Sequence, residues 1–171
     1  LVHGRYSDPF FVEYVRRTQP FTMVGHHFHP YYEVYFLRSG SRSYFVEDTT
    51  YEVEAGDLVF IGKNVVHRTL LAGDPRHERI VLHVDDRYVR DVMGPHAELL
   101  LSPFEQAGPI VRLRGKDRER LLDLTDRVLQ ELRDKPPGHE LALKQAIAEL
   151  FLLASRAARG NGPSESGHVS P

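Results

Sequence analysis

The chain has 171 residues, 41% of them hydrophobic and 27% charged, with a formal net charge of −2 at pH 7. That length suits a single domain with one closed core, and the near-neutral charge, lacking a long lysine or arginine stripe, excludes an electrostatic footprint for DNA. No cysteine is present, which excludes disulfides and thiolate metal sites; no run reaches membrane-spanning length and LVHGRYSDPF is no signal peptide, so a cytoplasmic location without membrane partners is expected.

Short runs rich in β-branched and aromatic residues come first: Phe10 to Val15, Tyr32 to Leu37, Ser43 to Glu47, Tyr51 to Val53, Leu58 to Ile61, Val65 to Leu71 and Arg79 to Val84. Turn clusters at EDTT, EAGD, GKN and AGDP separate them. Many short strands at close spacing predict a sandwich or barrel, so the fold class is mainly β. Asp86 to Met93 predicts a short helix capped by Asp85 or Asp86 and ended by Gly94 and Pro95.

The character of the chain changes near Arg114. After Gly115, Leu121, Leu124, Val128 and Leu132, with Leu122 and Leu129 beside them, follow helical spacing. Pro136, Pro137 and Gly138 stop this helix. A second begins near His139, with Leu143, Ile147, Leu150 and Ala154 at alternating steps of four and three and Leu153 widening the apolar face. Such a seam serves either a helix hairpin covering the barrel's flank or self-association. The closing GNGPSESGHVSP reads as a linker. One domain is expected, with a β-barrel over 1–114 and a two-helix element over 115–159, followed by a linker over 160–171.

The chemistry concentrates in HHFHPYYEVYFLRSG. Side chains alternate along a strand, so His27, His29 and Glu33 project to one side unless Pro30 introduces a bulge. His67, just after the GKN turn, can supply a fourth group from another strand. Three imidazoles and one carboxylate suit a divalent transition metal (Zn, Ni, Fe, Mn, Co or Cu) better than Ca or Mg, and leave two octahedral positions open. Hydrogen bonds among the same histidines, Glu33 and tyrosine hydroxyls would satisfy the cluster without any metal.

Tyr35 and Leu37 share the parity of Glu33 and should face the same interior, where Tyr35 either packs in the core or offers a hydroxyl to a ligand. Tyr31 and Tyr32 flank the motif at its rim, and either Tyr44 or Phe45 points inward. His83 alternates against Ile80, Leu82 and Val84 and is expected on a solvent-facing side. His26 should face away from His27. His3, His77, His96, His139 and His168 fall in turns or ends with no partner pattern.

HFHPYYEVYFLRSG resembles the first cupin motif, with His27, His29 and Glu33 as its HxHxxxE core and Gly40 as the following glycine. The second cupin motif is matched by Gly56 and His67, with Gly62 and Asn64 at its turn, where both residues tolerate positive φ. Phe21 replaces the opening glycine of the first motif and Leu71 the closing asparagine of the second. With YYEVYFLRSGSRSYFVED, YEVEAGDLVFI and VVHR in this order, Phe10 to Gly160 is most similar to the N-terminal sensor domain of AraC-type transcription regulators.

The resemblance implies a cupin, that is, a jelly-roll β-barrel followed by a C-terminal pair of α-helices. It implies a small polar effector, a sugar or a carboxylate, bound at His27, His29, Glu33, Tyr35 and His67, with any metal on His27, His29, Glu33 and His67. It further implies a homodimer formed through the C-terminal helices, and DNA contact only through a helix-turn-helix domain that would follow Pro171. The alternative is a stand-alone metal-dependent cupin enzyme of isomerase or dioxygenase type. Spacing alone places no further acid or base at the pocket, so a non-enzymatic role is expected.

Overall fold

A computed structural model describes residues 1–160; of the linker expected over 160–171, Gly160 is instead the last residue of a helix, and 161–171 lie outside the described residues. Two antiparallel sheets face each other. The larger takes β1 (Val2–His3), β2 (Phe10–Arg17), β8 (His77–Val84), β3 (Tyr32–Ser39), β6 (Asp57–Ile61) and β9 (Ile110–Arg112) in that spatial order. The smaller is ordered β5 (Thr49–Glu54), β4 (Ser41–Val46) and β7 (His67–Leu71). The chain passes from the large sheet to the small one at Gly40, whose φ is 89° and where an added Cβ would run into the Arg76 carbonyl. Only glycine fits there.

The large sheet is covered on both sides. Toward the small sheet it presents Tyr35, Leu37, Val59, Ile61 and Val81, which form one core with Tyr44, Val46 and Val53. On its other face Val34, Phe36, Leu58, Phe60, Ile80 and Leu82 pack with helical residues in a second core. Double coverage explains why β3 and β6 read as nearly continuous apolar runs instead of alternating ones.

The helical cover consists of α1 (Asp86–Tyr88), a π turn at Val89–Met93, α2 (Ala97–Leu101), α3 (Gly115–Asp134) and α4 (His139–Gly160), with 3-10 turns at Gly94–His96 and Ser102–Glu105. Helical residues outnumber strand residues, so the mainly β expectation holds for the barrel but understates the helical layer. Asp85, not Asp86, caps α1, its carboxylate accepting from the Arg87 and Tyr88 amides at 2.9 and 3.2 Å. The strand β9 and the run 97–105 carried too few residues of either period to be recognised in sequence.

The apolar stripes of α3 and α4 are spent inside the chain. Leu121, Leu124, Val128 and Leu132 are buried with Leu143, Ile147, Leu150 and Ala154 in the core that lines the large sheet. These stripes form a hairpin covering the flank; their seam is not a free surface. Lys135 closes α3 in the left-handed conformation, φ 46°, before the two prolines. No helix among the described residues is long and apolar enough to cross a membrane.

A buried ion pair ties β9 to β6. Asp57 is fully buried and accepts from Arg112 Nε and Nη2 at 2.8 Å each, and from the Glu54 amide at 2.9 Å. Asp57→Ala is expected to lower stability by about 1–3 kcal/mol, since Arg112 reaches solvent but the Glu54 amide loses its acceptor. Urea denaturation at pH 7 reads the change.

Candidate functional site

Glu33 stands at the centre of a cluster between the two sheets, only 7% exposed. β3 and β8 pair with Glu33 directly opposite His83, and equal parity sends both inward. His83 Nε2 lies 2.8 Å from Glu33 Oε1, and the Tyr44 hydroxyl donates to Oε2 at 2.8 Å. His29 Nε2 approaches Oε1 at 3.4 Å, and His67 Nε2 approaches Oε2 at 3.5 Å. Ligand atoms of His29, Glu33 and His83 all fall within 4.8 Å of one another.

The four groups proposed from sequence thus separate. His29, Glu33 and His67 converge. His27 does not join them: it is exposed, its backbone bridges that of His67 through two 2.9 Å hydrogen bonds, and its ring lies 6.4 Å from that of His67. Pairing of the 21–31 segment with β7 at this point breaks the regular β3 alternation that was expected to align His27 with His29. Tyr35 faces the interior and is 2% exposed. Tyr44, not Phe45, points inward.

His83 corrects the expectation of a solvent-facing histidine: it is 6% exposed. Its face of β8 lies opposite Ile80, Leu82 and Val84, as expected, but that face is the barrel interior. Val81, of the same parity, was the available sign that both faces of β8 are apolar. His77, read as a turn residue, is 4% exposed as the first residue of β8.

Backbone carbonyls orient the imidazoles. His29 Nδ1 lies 3.1 Å from the Tyr31 carbonyl, and His67 Nδ1 lies 2.8 Å from the Val65 carbonyl. A carbonyl only accepts, so each Nδ1 carries a proton there and each ring turns its Nε2 toward Glu33. An Nε2 facing a carboxylate holds either a proton shared with it or a cation between them. His29 Nε2 is buried with no hydrogen-bond partner among the described residues.

Electrostatics favour a charged carboxylate here. Burial pushes the Glu33 carboxyl up, but the adjoining His29, His83 and His67 imidazoles outweigh it and hold the group well below its usual value. Burial in turn pushes the His67 imidazole down, which keeps it neutral. Burial and the adjacent Glu33 charge push the Tyr44 hydroxyl well up, so it remains a donor. An ionised carboxylate beside imidazoles, those of His29 and His67 oriented by backbone carbonyls, is a donor set that fits a divalent transition metal. Glu33, His29 and His83 would hold it, with His67 beside them.

A cavity of about 120 Å³ adjoins the cluster, bordered by Glu33, His83, Tyr35, Glu13, Arg79 and His77. No local pattern marks Glu13 and Arg79, which meet across β2 and β8 at 2.6 Å. A wider groove near Leu113 and Arg156 shares none of these residues.

Burial pushes the His77 imidazole below its ordinary 6.5, and the charges of Arg42, Arg79 and Arg17 push the same way. The unfolded chain then binds a proton that the folded one refuses, so stability is present above pH 6.5 and declines as pH falls below it. Urea midpoints measured from pH 7.5 to 5.5 should fall less steeply in His77→Gln than in the parent.

Residues 15–85, somewhat under half of the chain, match the family model for the cupin domain. No curated protein matches the sequence. Among solved structures, a variant of Bacillus subtilis oxalate decarboxylase is 20% identical, with 46% of this chain and 22% of that chain covered at a TM-score of 0.40. A cupin 2 conserved barrel domain protein from Salinispora arenicola is 17% identical, covering 52% and 76% at 0.44. A cupin protein from Bacteroides fragilis is 19% identical, covering 46% and 68% at 0.42. The chain spans only about a fifth of the oxalate decarboxylase chain. Residues 15–85 are thus similar to the cupin domain, and the two facing sheets they help to build hold the histidine-glutamate cluster between them.

Proposed function

We propose that the chain is the effector-sensing and dimerisation region of an AraC-type transcription regulator, with a small polar molecule entering the barrel beside Glu33. The observation that carries this reading is the double use of β3 and β8. Glu33, Tyr35, Val81 and His83 face the barrel interior, while Val34, Phe36, Ile80 and Leu82 on the same strands pack with the core of α3 and α4. Close-packed cores shift between discrete arrangements instead of deforming continuously, so an occupant that biases these strands biases the helices.

The helices are then the output. Two copies would pair through the faces of α3 and α4 turned away from the sheet, where Leu141 is 62% exposed. DNA would be contacted through a helix-turn-helix domain joined beyond α4, in the cytoplasm. A divalent transition metal on His29, Glu33, His83 and His67 would supply a Lewis acid for an oxygen of the bound molecule.

A thermal-shift screen of sugars and short carboxylates tests this, with sedimentation for self-association. A true effector at a hundredfold excess over its Kd should add about 2.7 kcal/mol of stability and alter dimerisation. A protein that binds none of these molecules and stays strictly monomeric would contradict the reading.

A metal-dependent enzyme of isomerase or dioxygenase type is the second reading. Glu13 favours it, because a carboxylate on the cavity wall is the acid or base that sequence spacing did not reveal. Elemental analysis separates the two in part: absence of a transition metal near one per chain removes the enzyme.

A further inference from the structure

Resting on the reading of the barrel as a small-molecule site, the charges around its cavity name the chemistry of the occupant. Three arginines gather at the end of the barrel away from the histidine cluster. Arg42 is 1% exposed, donating to the Phe21 carbonyl at 2.8 Å and to Thr69 Oγ1 at 3.3 Å, with Nε unpartnered. It has no carboxylate within ion-pair distance among the described residues. Arg79 spends Nη2 on Glu13 at 2.6 Å, and its Nη1 is buried without a partner. Arg17 lies near enough for its charge to act on both Arg42 and His77.

Two carboxylates border the cavity, and both are engaged. Glu13 is held by Arg79, and Glu33 by Tyr44 and the imidazoles. The Tyr35 hydroxyl, on a residue 2% exposed, borders the cavity beside the Arg42 guanidinium, without a hydrogen bond of good geometry among the described residues. A buried guanidinium without an anion and a buried hydroxyl without a well-formed hydrogen bond are each costly unless something completes them. About 120 Å³ holds roughly four waters' volume, room for a two- or three-carbon acid.

We propose that this cavity is an anion subsite for the carboxylate of a short-chain carboxylic acid, held by the Tyr35 hydroxyl and Arg79 Nη1 with Arg42 as the charge behind them. The acid's other end points toward Glu33, where a hydroxyl or keto oxygen meets the histidine cluster. Effector selectivity therefore follows charge first and length second.

Calorimetric titration of the whole chain with glycolate, lactate, pyruvate and oxalate tests this, with lactamide as the neutral counterpart of lactate. At least one acid should bind, and lactamide should bind at least tenfold more weakly than lactate if lactate is that acid. Tyr35→Phe removes only a hydroxyl without a hydrogen bond of good geometry, so its stability without ligand should stay close to that of the parent while acid affinity falls about tenfold. Arg79→Met should abolish binding, and Tyr35→Phe keeps the test decisive if that variant misfolds. Binding of none of the four acids, equal binding of lactate and lactamide, or unchanged affinity in Tyr35→Phe overturns the proposal. Neutral sugars that bind and alter dimerisation in place of acids would overturn the subsite and leave the sensor standing. An acid that binds without any effect on α3, α4 or self-association would do the reverse.

Discussion

Glu33→Ala is expected to cost about 3–5 kcal/mol of stability, the range for removing one partner of a buried charged network. Tyr44 loses the acceptor at 2.8 Å, and His83 Nε2 loses its own at the same distance. Three imidazoles are left facing one another without the carboxylate between them. For a chain of this size the loss corresponds to a melting point lower by roughly 6–20 °C. The variant should also lose transition-metal binding by ~100-fold or more, since the only carboxylate of the cluster is gone. Glu33→Gln keeps the volume and an acceptor, so it should recover much of the stability while metal binding stays weak. Thermal melts together with zinc titration read both effects.

Phe151→Ala is expected to cost about as much for a different reason. Phe151 is fully buried, its ring 6.3 Å from those of both Phe60 on β6 and Phe104 in the segment before β9. Truncation leaves a cavity where the helix meets the sheet, at about 3–5 kcal/mol for a buried phenylalanine. Because Phe151 touches no cluster residue, metal affinity at the Glu33 site should persist in the folded fraction. Amide exchange along α4 should rise sharply. The pair of variants separates barrel chemistry from the helix packing that would report it.

Much of the barrel was legible because strand parity and turn chemistry act locally. The runs around Val34, Phe60 and Leu82 carry their own pattern, and Gly40 marks the sheet-to-sheet corner. The candidate site was legible in part: His29, Glu33 and His67 follow from the motif spacing and do converge. His27 was misplaced because a bridge to the His67 backbone, a contact distant in sequence, decides where the 21–31 segment lies. His83, Glu13 and Arg79 were missed for the same kind of reason. Their positions depend on β8 sitting between β2 and β3, an arrangement that no local period encodes. The helix stripes showed a correct periodicity but could not say which surface they cover.

In a sensor built this way the occupant of the barrel would be felt by the helices through β3 and β8. Amide hydrogen exchange over Gly115–Gly160, with and without the tightest binder from the thermal-shift screen, measures it most directly. Changed protection in α3 and α4 that tracks occupancy is the expected result. Protection confined to the barrel strands, with the helices unchanged at saturation, would contradict it.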